Sequence, residues 1–286
     1  THDFAVTQSW YVMIQNILKV DPLPYLAGVK GAGQCLMSQP QDPVIVHLIP
    51  RPAGVVSSHS KSQSQSEAPP PPRKAVCAMG PAASFEIHVA LAHDGPPLSE
   101  GGDDDVAPEL MDEWVTVYTA GWEELAPGSF LGEWSNVAKW DFDIASPLSF
   151  DFNFIPRTLL WRYRINARSG EVLREPTPGC EDMCLDHPHV NPLFEGRRSC
   201  RYVYAVLCNT VRVSGPPCGY VRVCLATGET QRWWAGNRCF CEELVVVPKG
   251  EYAWDGSGRG GIGPPDDSEG EGRADGVGQA DHDGAA

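Results

Sequence analysis

No stretch of this sequence approaches the roughly 18 apolar residues that a membrane-spanning helix needs, and no charged-then-apolar leader opens it. Targeting signals, if the protein carries any, are expected in a longer parent. Long helical periodicity is also missing, which argues against a helix bundle. Positive charge is scarce: 22 Lys and Arg stand against 37 Asp and Glu, a net charge of −15. A nucleic-acid partner is therefore not expected, since such surfaces work by neutralising phosphates.

Cysteine is present but lacks order. The 10 cysteines run from Cys35 to Cys241 without the spacing of a small disulfide scaffold, so a reducing compartment is expected. The densest group, Cys180, Cys184, His187 and His189, offers soft ligands but no distant second pair. A structural zinc site is accordingly not expected.

What the chain does have is enough apolar content, 42%, to bury a sizeable core. Its acidity is local. Residues 99–113 hold Glu100, Asp103, Asp104, Asp105, Glu109, Asp112 and Glu113 with no base, and residues 255–286 hold eight acids against Arg259 and Arg273. Those two segments read as solvated, and so does the Ser/Gln/Pro-rich stretch that ends in Pro69 to Pro72. The expected organisation is an ordered part over 1–51, a disordered insertion over 52–84, an ordered part over 85–254 with an acidic loop at 99–113, and a disordered tail over 255–286.

The ordered parts carry short β-branched and aromatic runs bounded by Pro, Gly or Asn: Val44–Ile49, Trp114–Tyr118, Tyr202–Val206 and Leu244–Val247. Two hairpins are predicted, one from Leu159–Ile165 turning at Arg168-Ser169-Gly170, the other from Tyr220–Leu225 turning at Ala226-Thr227-Gly228. They repeat each other. Arg164, Gly170, Glu171 and Arg174 recur at the same spacing as Arg222, Gly228, Glu229 and Arg232, an offset of about 58 residues that favours an all-β propeller over a sandwich.

Several motifs then occur in a fixed order. His2-Asp3-Phe4-Ala5-Val6-Thr7 is followed by Asp21-Pro22-Leu23-Pro24-Tyr25-Leu26 and Gly28-Val29-Lys30-Gly31-Ala32; Phe85, His88, Ala92 and Asp94 come next. Downstream lie Asn191-Pro192, Phe194-Glu195-Gly196-Arg197-Arg198, Arg201-Tyr202-Val203-Tyr204-Ala205, Gly219-Tyr220-Val221 and Gln231-Arg232-Trp233-Trp234-Ala235-Gly236. This succession resembles the carotenoid oxygenase (carotenoid cleavage dioxygenase) family, and it spans residues 1–250. The resemblance implies part of a seven-bladed β-propeller, with Fe(2+) on its axis held by four histidines. It implies an enzyme that uses O₂ to split a conjugated C=C bond of a carotenoid or apocarotenoid into two carbonyl products.

Residue by residue, the resemblance makes His2 a metal ligand. It makes Glu243, in Glu243-Leu244-Val245-Val246-Val247-Pro248, a carboxylate that accepts the other ring N–H of a ligating histidine, with Glu242 as the alternative register. Asp186 takes that role in Asp186-His187-Pro188-His189-Val190-Asn191, where the family pattern begins Glu-Phe-Pro-Arg. The side chain is one methylene shorter, about 1–1.5 Å of reach, so its hydrogen bond is expected only if the backbone moves. His88 matches a position read as structural, and His187 and His189 are read as exposed or packed substitutes. No separate catalytic acid, base or nucleophile is assigned.

The three remaining ligands are then expected outside the chain, two before Thr1 and one after Ala286, and the isolated chain is expected neither to retain iron nor to turn over substrate. The apolar stretches Trp10–Leu18 and Pro22–Leu26 are candidates for a lipid-facing entrance or for core. A non-catalytic propeller used for interaction is the second reading. Plastid and cytoplasm both fit the family as compartments.

Overall fold

Alternating burial organises this chain. In Trp10–Gln15 the side chains of Trp10, Val12 and Ile14 are buried while those between them are not, and Pro43–Pro50 repeats the pattern with Val44, Val46 and Leu48. Each is the period-2 signature of a strand with one face on a core. The computed structural model describes residues 3–52, 74–99, 106–125, 128–129, 156–211, 214–236 and 238–248. These fall in one compact unit, Thr1–Pro248.

In chain order the strands are β1 (Ala5–Val6), β2 (Trp10–Gln15), β3 (Leu18–Val20), β4 (Leu36–Ser38), β5 (Pro43–Pro50), β6 (Val76–Ala82), β7 (Phe85–Asp94), β8 (Trp114–Trp122) and β9 (Gly128–Ser129). They continue with β10 (Thr158–Asn166), β11 (Val172–Pro176), β12 (Leu185–His189), β13 (Tyr202–Cys208), β14 (Pro217–Cys224) and β15 (Thr230–Trp234). Two short helices, α1 (Pro22–Leu26) and α2 (Pro108–Glu113), interrupt them.

Three four-stranded antiparallel sheets result, ordered β1-β2-β5-β6, β7-β8-β10-β11 and β12-β13-β14-β15. Within each, the strands follow the chain from one edge to the other, as in propeller blades. A small sheet, β3-β4-β9, stands beside them. The middle blade is buried on both faces. Its Val115, Val117, Leu159, Trp161, Tyr163 and Ile165 pack with the first blade's Trp10, Val12, Ile14, Val46 and Leu48. From its other face Leu91, Tyr118 and Leu160 pack with Leu185, Val203, Leu207, Val221 and Val223 of the third.

The duplicated hairpin is real, and its two copies use the same turn. Tyr163 pairs with Arg174 as Val221 pairs with Arg232. Gly170 and Gly228 both hold φ +76, where a side chain is disfavoured. Each donates its N–H back to the strand end, to Asn166 O at 2.9 Å and to Cys224 O at 2.8 Å. The copies diverge in use: Arg174 runs into the core, where its guanidinium meets Glu86 at 2.9 Å and covers the Trp161 ring, whereas Arg232 is exposed.

The structure changes four expectations. The insertion expected over 52–84 is shorter, because Val76–Ala82 forms β6 against β5, with Ala78 buried in the core; residues 53–73 lie outside the described residues. The acidic loop at 99–113 ends in helix, since Pro108 starts α2 at its first turn. Leu244–Val247 makes no ladder: its β-branched run has no neighbouring strand to pair with among the described residues, and Val245 and Val247 are exposed. Trp10–Leu18 is not an entrance through most of its length, because Trp10, Val12 and Ile14 are core. The tail, 255–286, lies outside the described residues.

Candidate metal centre

Each blade offers its first strand as an edge, and β7 packs against β1 and β12. Regular strands would send alternate side chains away from this meeting line, but both longer ones are irregular. β7 shifts register between Glu86 and His88 and again between Val89 and Leu91, and β12 shifts between Asp186 and His189. Bulges of this kind re-aim side chains beside functional sites.

The result is a contact between two blades. Nδ1 of His88 lies 2.8 Å from Oδ1 of Asp186. An ionised carboxylate only accepts, so this nitrogen carries the proton and Nε2 is the one that would coordinate. The bond to Asp186 raises the His88 pKa above 6.5, against the opposing effect of partial burial. The shorter side chain at 186 thus reaches an imidazole, from a strand whose register is irregular.

The N-terminal segment is fastened to the same place. Asp3 accepts the Val89 N–H with Oδ2 at 2.7 Å and its neighbour's N–H, from Phe4, with Oδ1 at 2.8 Å. Asp3 therefore sits beside the strand that carries His88. His2, the expected ligand, lies outside the described residues.

A cleft of about 320 Å³ opens here, lined by Asp3, His88, His187, His189, Glu195 and Glu243 among others. At its rim Oε1 of Glu243 is 2.7 Å from Nε2 of His189. Glu243 rather than Glu242 reaches an imidazole; the Glu242 carbonyl instead accepts the Tyr220 hydroxyl. His88 and His187 were not expected here. Their ring centroids are 4.6 Å apart. One ligand atom from each of His88, Asp186 and His187 falls within 4.8 Å of the others.

This donor set fits a first-row divalent cation: imidazole suits ferrous iron, and a carboxylate that accepts the far N–H of an imidazole fixes its tautomer and ring orientation. The zinc grouping is not assembled: Cys180 is in the core between the second and third blades and Cys184 is buried too, and neither lines the cleft that His187 and His189 line.

The retinal pigment epithelial membrane protein (RPE65) family model matches residues 1–272. This chain belongs to that family, the carotenoid oxygenases. Among curated members, the apocarotenoid-15,15'-oxygenase of Synechocystis sp. is 40% identical over 55 residues, 19% of this chain and 11% of that protein. Cobalt-substituted Synechocystis apocarotenoid oxygenase superposes on 86% of the chain with TM-score 0.61 and 22% identity, and 40% of its own length is covered. A chimera of that oxygenase with RPE65 gives the same TM-score and identity over 87% of the chain and 41% of its own. The chain thus spans about two fifths of these carotenoid oxygenase structures, and the shared fold is part of a seven-bladed β-propeller.

Two residues of the cleft escaped the sequence reading. His88 matches a position read as structural, and the bulges of β7 hide its alternation. His187 should face away from Asp186 in a regular strand. The available signal was Pro188, since proline inside a strand marks an edge or a bulge.

Proposed function

We propose that this chain is part of an Fe(II)-dependent dioxygenase that cleaves a conjugated C=C bond of a carotenoid or apocarotenoid, and that His2 and His88 are two of its metal ligands. The observation that carries the reading is the His88–Asp186 bond beside a cleft that His88 and Asp3 line. Bound ferrous iron would supply activation of O₂ for scission into two carbonyl products. The chain's own residues orient and enclose: Asp186 holds the His88 ring with its proton on Nδ1, and at the rim Glu243 meets His189 through the other ring nitrogen, Nε2. Two imidazoles rather than one then come from this chain, and the rest of a four-histidine shell from outside it. For that reason the isolated chain does not turn over substrate.

An apolar surface near the small sheet supports delivery of a lipid-soluble substrate. Helix α1 buries none of its residues, and Val20, Leu23, Tyr25, Leu26 and Val29 are all exposed. This favours Pro22–Leu26 as a peripheral membrane contact, with core assigned to Trp10–Ile14. No helix among the described residues is long and apolar enough to cross a membrane.

The test uses the whole protein. Replacement His88→Gln is expected to abolish both iron content and apocarotenoid cleavage with the fold intact by circular dichroism. Wild-type iron content in that variant would overturn the assignment.

A further inference from the structure

In a regular strand neighbouring residues point to opposite faces, so Asp186 and His187 should not share a partner. Here they do. Pairing with β13 runs from Asp186↔Val206 to His189↔Tyr204, which leaves one extra residue in β12. His187 adopts φ +46 there, a left-handed conformation that non-glycine residues seldom hold. Conformations of this kind persist where surrounding structure enforces them, and they cluster at ligand sites.

The geometric consequence is a hub. The Asp186 Oδ1 that binds His88 Nδ1 also accepts the His187 backbone N–H at 2.7 Å. That places the two imidazoles side by side, 4.6 Å between centroids, both lining the cleft. Asp3, Glu195 and Glu243 line it too, so the surroundings favour a cation over an anion. The expectation that the isolated chain cannot retain metal counted His2 alone, whereas His88 and His187 line the cleft.

We propose that His187 is a metal-directed imidazole: beside His88, whose ring Asp186 orients, it binds a first-row divalent cation within this chain alone. The inference deepens the iron reading above and rests on it for the location of the site, while the donors come from the geometry. Imidazole nitrogen suits first-row divalent cations, and both rings line the cleft. The family pattern has Phe where His187 stands, so a four-histidine scheme gives this ring no place.

Cobalt(II) titrated into the metal-stripped 286-residue chain tests the proposal, read by visible d–d absorption and by calorimetry. One ion per chain is expected, with affinity lowered roughly tenfold or more in His187→Phe. In the wild-type chain cobalt(II) is expected to shield His187 from diethyl pyrocarbonate, read by peptide mass spectrometry, an arm that needs no variant to fold. Unchanged affinity in His187→Phe, or equal labelling of His187 with and without cobalt, overturns the role of His187. A separate result marks failure of the underlying reading: if His88→Gln also binds cobalt like the wild type, the cleft is no metal centre. Absence of any binding overturns the proposal outright.

Discussion

His88 and Asp186 are 98 residues apart in sequence, and their side chains meet at 2.8 Å across the seam between two blades. The contact ties the orientation of a candidate metal ligand to the packing of β7 against β12, so a fault in either strand would be felt at the ligand.

Replacing Asp186 by Asn keeps the volume and removes the negative charge that holds the His88 ring. Cobalt(II) affinity of the isolated chain is expected to fall about 10- to 100-fold, the usual cost of losing an orienting partner of a metal ligand. Calorimetric titration checks this. Asp186→Glu is the informative companion, because Asp186 already reaches its partner at 2.8 Å: it should not tighten binding, and a gain would show that Asp186 falls short of its partner.

Acid sensitivity should trace to His93. Burial pushes its pKa down from 6.5 to about 4, helped by the Arg198 charge and opposed by the Asp94 carbonyl that its Nδ1 faces. The folded state therefore keeps this ring neutral while the unfolded chain protonates near 6.5, so stability is lost as pH falls from about 6.5 towards 4. The full loss is on the order of 3 kcal/mol at about 1.4 kcal/mol per pKa unit. Urea midpoints at pH 7 and pH 4.5 measure it, and His93→Phe should flatten the difference even if it costs stability at both.

The two copies of the hairpin turn predict unequal responses to one substitution. An added Cβ at Gly170 meets nothing within 4 Å, so Gly170→Ala should cost only the left-handed penalty, about 1–2 kcal/mol. At Gly228 the same carbon would come within 3.0 Å of the Pro178 backbone, and at Gly179, on the other side of that contact, within 1.9 Å of Gly228 O. Gly228→Ala and Gly179→Ala should each lose more than Gly170→Ala in urea unfolding, with Gly179→Ala the worst.

Membrane contact has its own check. Co-sedimentation of the chain with phosphatidylcholine vesicles is expected, and the double change Leu23→Ser, Leu26→Ser should remove most of it without altering the melting temperature, since both side chains are already in solvent. Pelleting of the double variant equal to the wild type would discard this surface.

The blades were legible wherever local chemistry and tertiary pairing agree. Gly170 and Gly228 stand where the turn needs positive φ, and the arginines and glutamates around them recur in register, so both hairpins could be placed to within a few residues. Leu244–Val247 shows the limit of that reasoning: β-branched residues permit a strand, but a ladder needs a neighbour. The metal site was legible only in part. Asp186 and Glu243 carry a motif, and each meets an imidazole. His88 and His187 owe their positions to bulges, which break the alternation that makes a strand's faces readable from sequence.

The fastening of Asp3 onto Val89 has a practical corollary for anyone producing this chain. Asp3 lines the cleft, so an affinity handle fused ahead of Thr1 would begin within a few residues of it. An oligohistidine handle there would lend its own nitrogens to the very ions being counted, so stoichiometries measured before it is cleaved off would describe the handle and not the protein.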